Sequence, residues 1–156
     1  MSGYNQKLLN HFIHPENVGI IEQPDGYAQV KNPVNGYITE IYLKIRDDQI
    51  QEIKFKTLGC VVTIASGSAL TTNVHHAQLS TLLEKPKPTE QLTKSIIDEL
   101  QEIPKTSWHC PPTAVLALYT ALYEYYKNKD DQNTMNCLGL LISEIREDFK
   151  RKLDEK

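Results

Sequence analysis

The sequence predicts an α+β fold, a small three-stranded antiparallel sheet with helices packed on it. Three observations predict it: a stretch of strict two-residue alternation between Ile38 and Thr57, a change to helical spacing after Gly59, and an apolar stripe near the C-terminus. Strands followed by a run of helices is the pattern of that class.

Before the sheet, Leu8, Leu9 and Phe12 recur at helical spacing from Tyr4 to Phe12, and Pro15 ends the pattern. A loop through Asn17, Gly19, Pro24 and Gly26 leads to a short strand at Tyr27–Lys31. The turn formers of Asn32-Pro33-Val34-Asn35-Gly36 predict an exposed connection. Thr39, Ile41, Leu43 and Ile45 then form one apolar face, Asp47-Asp48 is a turn signal, and Ile53 and Phe55 continue the apolar face in a hairpin partner. Ile50 falls on the mostly polar face of that partner. With the first strand added, the sheet should be buried on one side only.

The next helix is expected from Val61 to about Leu82, with Ala65, Ser66, Gly67, Ser68 and Ala69 serving close packing or access to a site. Pro86 and Pro88 break the chain, and Leu92, Ile96, Ile97 and Leu100 mark another amphipathic helix that Pro104 stops. Pro111 and Pro112 open a long helix, Thr113 to Tyr126, since proline is tolerated in a first turn. A polar linker at 128–133 precedes Met135, Leu138, Ile142, Ile145, Phe149 and Leu153, a narrow stripe that docks on this domain or on a second copy. The chain therefore divides into a domain at 1–127 and a linker with an amphipathic helix at 128–156.

Composition narrows the function. With 156 residues, 40% of them hydrophobic, there is enough apolar material for one core. A net charge of −3 and no basic run argue against nucleic-acid binding. No apolar stretch approaches the roughly 20 residues that span a bilayer, so no membrane association is expected. The N-terminus lacks the charged-then-apolar layout of a secretory signal. Three widely spaced cysteines fit a reducing compartment, and a cytoplasmic location is expected.

The chemistry concentrates at Gly59-Cys60 and His109-Cys110, two soft-ligand pairs that each sit where a helix should begin. Cysteine and histidine hold zinc, iron and iron–sulfur clusters. A helix N-terminus favours thiolate over thiol. Free cysteines are also common as small buried hydrophobes, and no CxxC or HExxH pattern decides between the readings. Cys137, in or beside the C-terminal stripe, reads as structural. His75-His76 read as ligands or as a solvated helix face, and His11 and His14 as helix C-terminal cations. No convincing general acid or base accompanies the cysteines, so an enzyme is not expected.

The run YNQKLLNHFIHPENVG at 4–19, NPVNG at 32–36, FKTLGC at 55–60 with IAS at 64–66, and WHC at 108–110 follow one another as in iron–sulfur cluster scaffold proteins of the IscU/NifU type. The chain resembles that family from about Tyr4 to Tyr126. The resemblance implies three loops at one end of the domain that hold zinc, iron or a nascent [2Fe–2S] cluster. It implies a cysteine desulfurase as partner, with a chaperone and recipient apo-proteins, and it makes Cys60, His109 and Cys110 the ligands. It also marks two departures, Asn35 for a family cysteine and Tyr37 for a family aspartate. A fourth ligand would then come from solvent, Asn35, Tyr37 or a partner's cysteine. The alternative is a diverged homologue that no longer assembles clusters and serves as a zinc-binding or interaction module. A homodimer through the C-terminal helix is a further expectation.

Overall fold

The computed structural model describes residues 3–155. Its sheet has the order β1-β2-β3, all antiparallel, with β1 at Gly26–Lys31, β2 at Ile38–Arg46 and β3 at Gln49–Thr57. Asp47 and Asp48 both take positive φ, 53° and 57°, which gives the hairpin a turn whose twist matches its strands. Ala28, Val30, Ile41, Leu43, Ile53 and Phe55 are buried on one face, as the alternation predicts. Ile50 is wholly buried as well. The ladder pairs Lys44 with Glu52 but Ile45 with Ile50, so Gln51 is an extra residue in β3. That bulge turns Ile50 inward and corrects the two-residue reading.

Among the described residues there are six α-helices, of which α2 and α5 pack on the sheet: α1 (Gln6–Ile13), α2 (Val61–Val74), α3 (Leu79–Leu83), α4 (Pro88–Glu99), α5 (Cys110–Asn128) and α6 (Gln132–Asp154). The single helix expected from Val61 to Leu82 is two. The break carries neither glycine nor proline. Its cause is the end of the hairpin, whose backbone captures the chain. His76 N–H donates to Ile50 O at 2.9 Å, Ile50 N–H to Ala77 O at 3.0 Å, and Leu79 N–H to Asp48 O at 2.8 Å. His76 takes φ 68° in consequence, and its ring stacks on that of His75 with centroids 3.9 Å apart.

The helix α1 is held by side chains that long-range folding brings to it. Asn5 Oδ1 accepts from Leu8 N–H at 2.9 Å, while its Nδ2 donates to Leu100 O at 2.8 Å and Glu102 O at 3.0 Å. One amide thus caps α1 and satisfies the end of α4. Asn5→Ala should lower stability by about 1–2 kcal/mol in urea unfolding, the cost of a lost cap. An unchanged midpoint would show that water replaces all three bonds. His11 is not a mere C-terminal cation: its ring joins Ser68 Oγ at 2.8 Å to Glu99 Oε1 at 3.1 Å, tying α1 to α2 and α4. Glu99 is correspondingly held below the usual carboxylate range, chiefly by that hydrogen bond.

The C-terminal stripe docks on its own domain. Leu138, Leu141, Ile145 and Phe149 are buried, and Phe149 meets Trp108 with ring centroids 5.6 Å apart. Asp131 caps α6, accepting from Thr134 N–H at 3.1 Å and from its hydroxyl at 2.8 Å. Of the two expected alternatives, this domain or a second copy, the stripe takes the first and packs on α5. Of its predicted members Leu153 stays exposed, whereas Leu141, absent from the prediction, is buried.

Candidate functional site

Three segments converge at the end of the sheet beyond Thr57. β3 runs out through Leu58, 81% exposed, and Gly59 to Cys60, which takes an extended conformation and caps α2. Cys110 is the first residue of α5, with His109 as its cap; the helix begins at the cysteine itself, ahead of Pro111-Pro112. Both thiols therefore lie at helix N-termini. The third segment is the loop 32–37 between β1 and β2.

Thr63, one turn into α2, joins the two cysteines. Its hydroxyl lies 3.3 Å from Cys60 Sγ and 3.5 Å from Cys110 Sγ. Cys60 is exposed and Cys110 is 2% exposed. The two sulfurs are shifted in opposite directions. A hydrogen bond from Cys110 holds the Cys60 thiol down to about 4 against the opposing effect of burial, with help from the Thr63 hydroxyl and the N–H groups at Thr63 and Val62. Cys110 is driven far up by the same bond and by burial, and stays a thiol. Removing that donor should restore an ordinary thiol. In metal-free protein, alkylation of Cys60 by iodoacetamide should remain fast well below neutrality. In Cys110→Ala its pH midpoint should move toward the free-cysteine value of about 8.5. Equal midpoints would show that the helix N-terminus alone sets the thiolate.

His109 is buried beside Cys110 and bonded to Asn32. Asn32 Oδ1 is fixed by Val34 N–H at 2.8 Å, so its other end is the amide nitrogen, which donates to His109 Nδ1 at 2.8 Å. The imidazole is therefore neutral with its proton on Nε2. The same Nδ1 lies 3.7 Å from Cys110 Sγ, so the ring already stands against the sulfurs. Among the described residues, no three His, Cys, Asp or Glu side chains are grouped closely enough to hold a metal ion. Two of the three expected ligands are side by side, and the third is held by Asn32.

Asn35 and Tyr37, the two departures that the resemblance marks, lie in the loop between β1 and β2. Asn35 Oδ1 accepts from Tyr37 N–H at 3.0 Å, and Gly36 between them takes φ 79°, so this loop closes on itself. Cys137, read as structural and in or beside the stripe, is exposed on α6. Asn32 and Thr63 were not foreseen. Asn32 precedes proline in a turn, an ordinary loop signal, and only Thr63's place three residues after Cys60 on a helix start could have marked it.

Asn32→Ala should release His109 and strand Val34 N–H. The expected cost is about 1–3 kcal/mol in denaturant unfolding. Nitrogen chemical shifts of the His109 ring should move from a single tautomer toward a mixture. Unaltered ring shifts would show that something other than Asn32 sets the tautomer.

Against known sequences, the profile of the NifU-like N terminal domain matches residues 3–132. This chain belongs to the NifU-like N-terminal domain family. Among its relatives, the iron-sulfur cluster assembly scaffold protein IscU 1 of Archaeoglobus fulgidus is 34% identical over 97% of this chain and 95% of its own length. IscU of Aquifex aeolicus is 35% identical over 78% of this chain and 75% of its own length. IscU of Escherichia coli is 28% identical over 81% of this chain and 97% of its own. A crystal structure described as a SUF-system scaffold from Fervidobacterium islandicum AW-1 superposes with a TM-score of 0.62 at 18% identity, covering 76% of this chain and 96% of that one. That likeness shows the NifU-like fold. No helix among the described residues is long and apolar enough to cross a membrane.

Proposed function

We propose that this chain is a scaffold on which iron–sulfur clusters are assembled and from which they are passed on. The observation that carries the reading is the meeting of Cys60 and Cys110 at two helix N-termini across one threonine hydroxyl. The relatives named as cluster scaffolds give that pair its context. Thiolates suit iron clusters and zinc alike. An exposed Cys60 thiolate offers the first bond to incoming iron. Cys110 offers the second after losing its proton, and His109 the third once its ring leaves Asn32. A coordination position stays open, which suits cargo that must depart. A [2Fe–2S] cluster is the form we assign.

The role we assign is non-enzymatic, as for the relatives named as scaffold proteins. The partners this implies are a cysteine desulfurase as sulfur source, a chaperone, and recipient apo-proteins, in the cytoplasm. We divide the chain into a scaffold domain at 1–127 and a polar linker with an amphipathic helix at 128–156. A zinc-binding or interaction module is the second reading. The Asn32–His109 bond favours it, because it withholds a ligand that a cluster would need.

The test is reconstitution of anaerobic protein with ferrous iron and free sulfide, followed by iron and acid-labile sulfide analysis and a visible spectrum. Iron and sulfide in equal amounts, with sulfur-to-iron charge-transfer bands, support the scaffold. Zinc alone, or no metal, replaces it with the module.

A further inference from the structure

Where the last turns of α6 pass the end of β1, a groove of about 300 Å³ opens between the helix and the chain at Lys31 and Pro33. Its floor is apolar, made by Leu116 of α5 and Phe149 of α6, each 4% exposed. Leu153, the member of the α6 stripe that stays exposed, stands at its edge. Three cations line the rim, Lys31, Arg146 and Lys150, against the single carboxylate of Asp154. All four are exposed, and among the described residues none of the three cations takes part in an ion pair. In a chain whose net charge is −3, this is a local excess of positive charge around an apolar surface.

We propose that this groove docks an acidic segment of a partner protein, with one large apolar side chain on Leu116 and Phe149 and carboxylates reaching the three cations. Charge complementarity selects the partner: unpaired cations draw an anionic segment and repel a basic one. An apolar anchor seated inside a polar rim is the form in which a small contact concentrates its binding energy. Other occupants fit less well. A second copy related by a two-fold axis would set the basic rim against itself. A lipid surface would meet the cations and miss the floor, which is recessed between them.

The place of the groove gives docking a consequence. Lys31 and Pro33 are the chain neighbours of Asn32, whose amide donates to His109 Nδ1 at 2.8 Å. Phe149 packs on Trp108, the residue before His109, with ring centroids 5.6 Å apart. A segment seated here therefore touches the supports of that imidazole from two sides. The inference does not depend on the scaffold reading, and its test uses no metal.

The metal-free, isotope-labelled full chain is titrated at low salt with synthetic peptides, each carrying one Leu, Phe or Trp between two runs of glutamate. At least one should bind saturably and shift the amide signals of Lys31, Arg146, Phe149, Lys150 and Leu153. Lys31→Glu, Arg146→Glu and Lys150→Glu made together should weaken that binding about tenfold, the worth of three exposed ion pairs. High salt should weaken it in the wild-type chain. Peptides with lysine for glutamate, or serine for the apolar residue, should bind correspondingly less. Absence of binding by every peptide overturns the proposal, and so does binding that the triple variant or the serine peptide keeps at full strength. Sedimentation with phosphatidylglycerol vesicles, or self-association in the ultracentrifuge, that the triple variant abolishes would also overturn it, because the groove would then have another occupant. The salt dependence is read on the wild-type chain and does not rest on the variant's folding, which near-ultraviolet circular dichroism checks separately.

Discussion

Cys60→Ser and Cys110→Ser should each fold yet lose most of the iron and acid-labile sulfide that the wild-type chain retains after reconstitution, while Cys137→Ser retains it all. Serine keeps the size of the side chain and removes the soft donor, so the loss would report coordination rather than packing. The two variants should differ in stability. Cys60 is exposed, and its change should lie within about 0.5 kcal/mol. Cys110 is buried against Thr63, so its serine must place a hydroxyl in a half-apolar site at a cost of about 1–3 kcal/mol. Urea midpoints separate those costs from cluster loss. Full retention of iron and sulfide in both variants would remove the thiols from the site.

What the sequence showed and hid follows from how far each signal reaches. The hairpin was legible because alternation and the Asp47-Asp48 turn are local. Ile50 was not, because a bulge is a property of the pairing between strands. The end of α2 at Val74 was hidden for a related reason: no residue there breaks a helix, and the break comes from hydrogen bonds to the hairpin, some 27 residues away in the case of Gln49 and His76. Cys60 and Cys110 could be singled out as helix-start thiols. Their meeting at Thr63 depends on α2 and α5 packing side by side, which spacing does not encode. The bond that holds His109 was the least legible feature, since its partner Asn32 lies 77 residues earlier. Resemblance to the family supplied the ligand set, whereas the geometry supplied the difference between an exposed thiolate, a buried thiol and a bonded imidazole.

Gly67→Ala should destabilise the chain, and it should act on the site as well. Alanine is ordinarily the better helix residue by about 1 kcal/mol, so a freely exposed position would gain. Here an added Cβ would sit 2.5 Å from Cε2 and 2.6 Å from Cδ2 of Phe55, inside van der Waals contact. The ring cannot easily retreat, because Phe55 is 1% exposed. Its backbone is also pinned, N–H to Asn17 O and C=O to Gly19 N–H, both at 2.9 Å. Overpacking of this kind costs typically about 1–3 kcal/mol, and the helix gain of about 1 kcal/mol offsets part of it, so a net loss of about 1 kcal/mol is expected. Trimming the ring should recover part of it, with Phe55→Leu and Gly67→Ala coupling favourably in a double-mutant cycle. Thr63 lies one helical turn before Gly67, and any lift of α2 from β3 carries its hydroxyl and Cys60 away from Cys110. The alkylation midpoint of Cys60 should therefore rise in Gly67→Ala and return in the double variant. A neutral or stabilising Gly67→Ala would mean that α2 sits farther from the sheet, and the link between that packing and the paired thiols would fall with it.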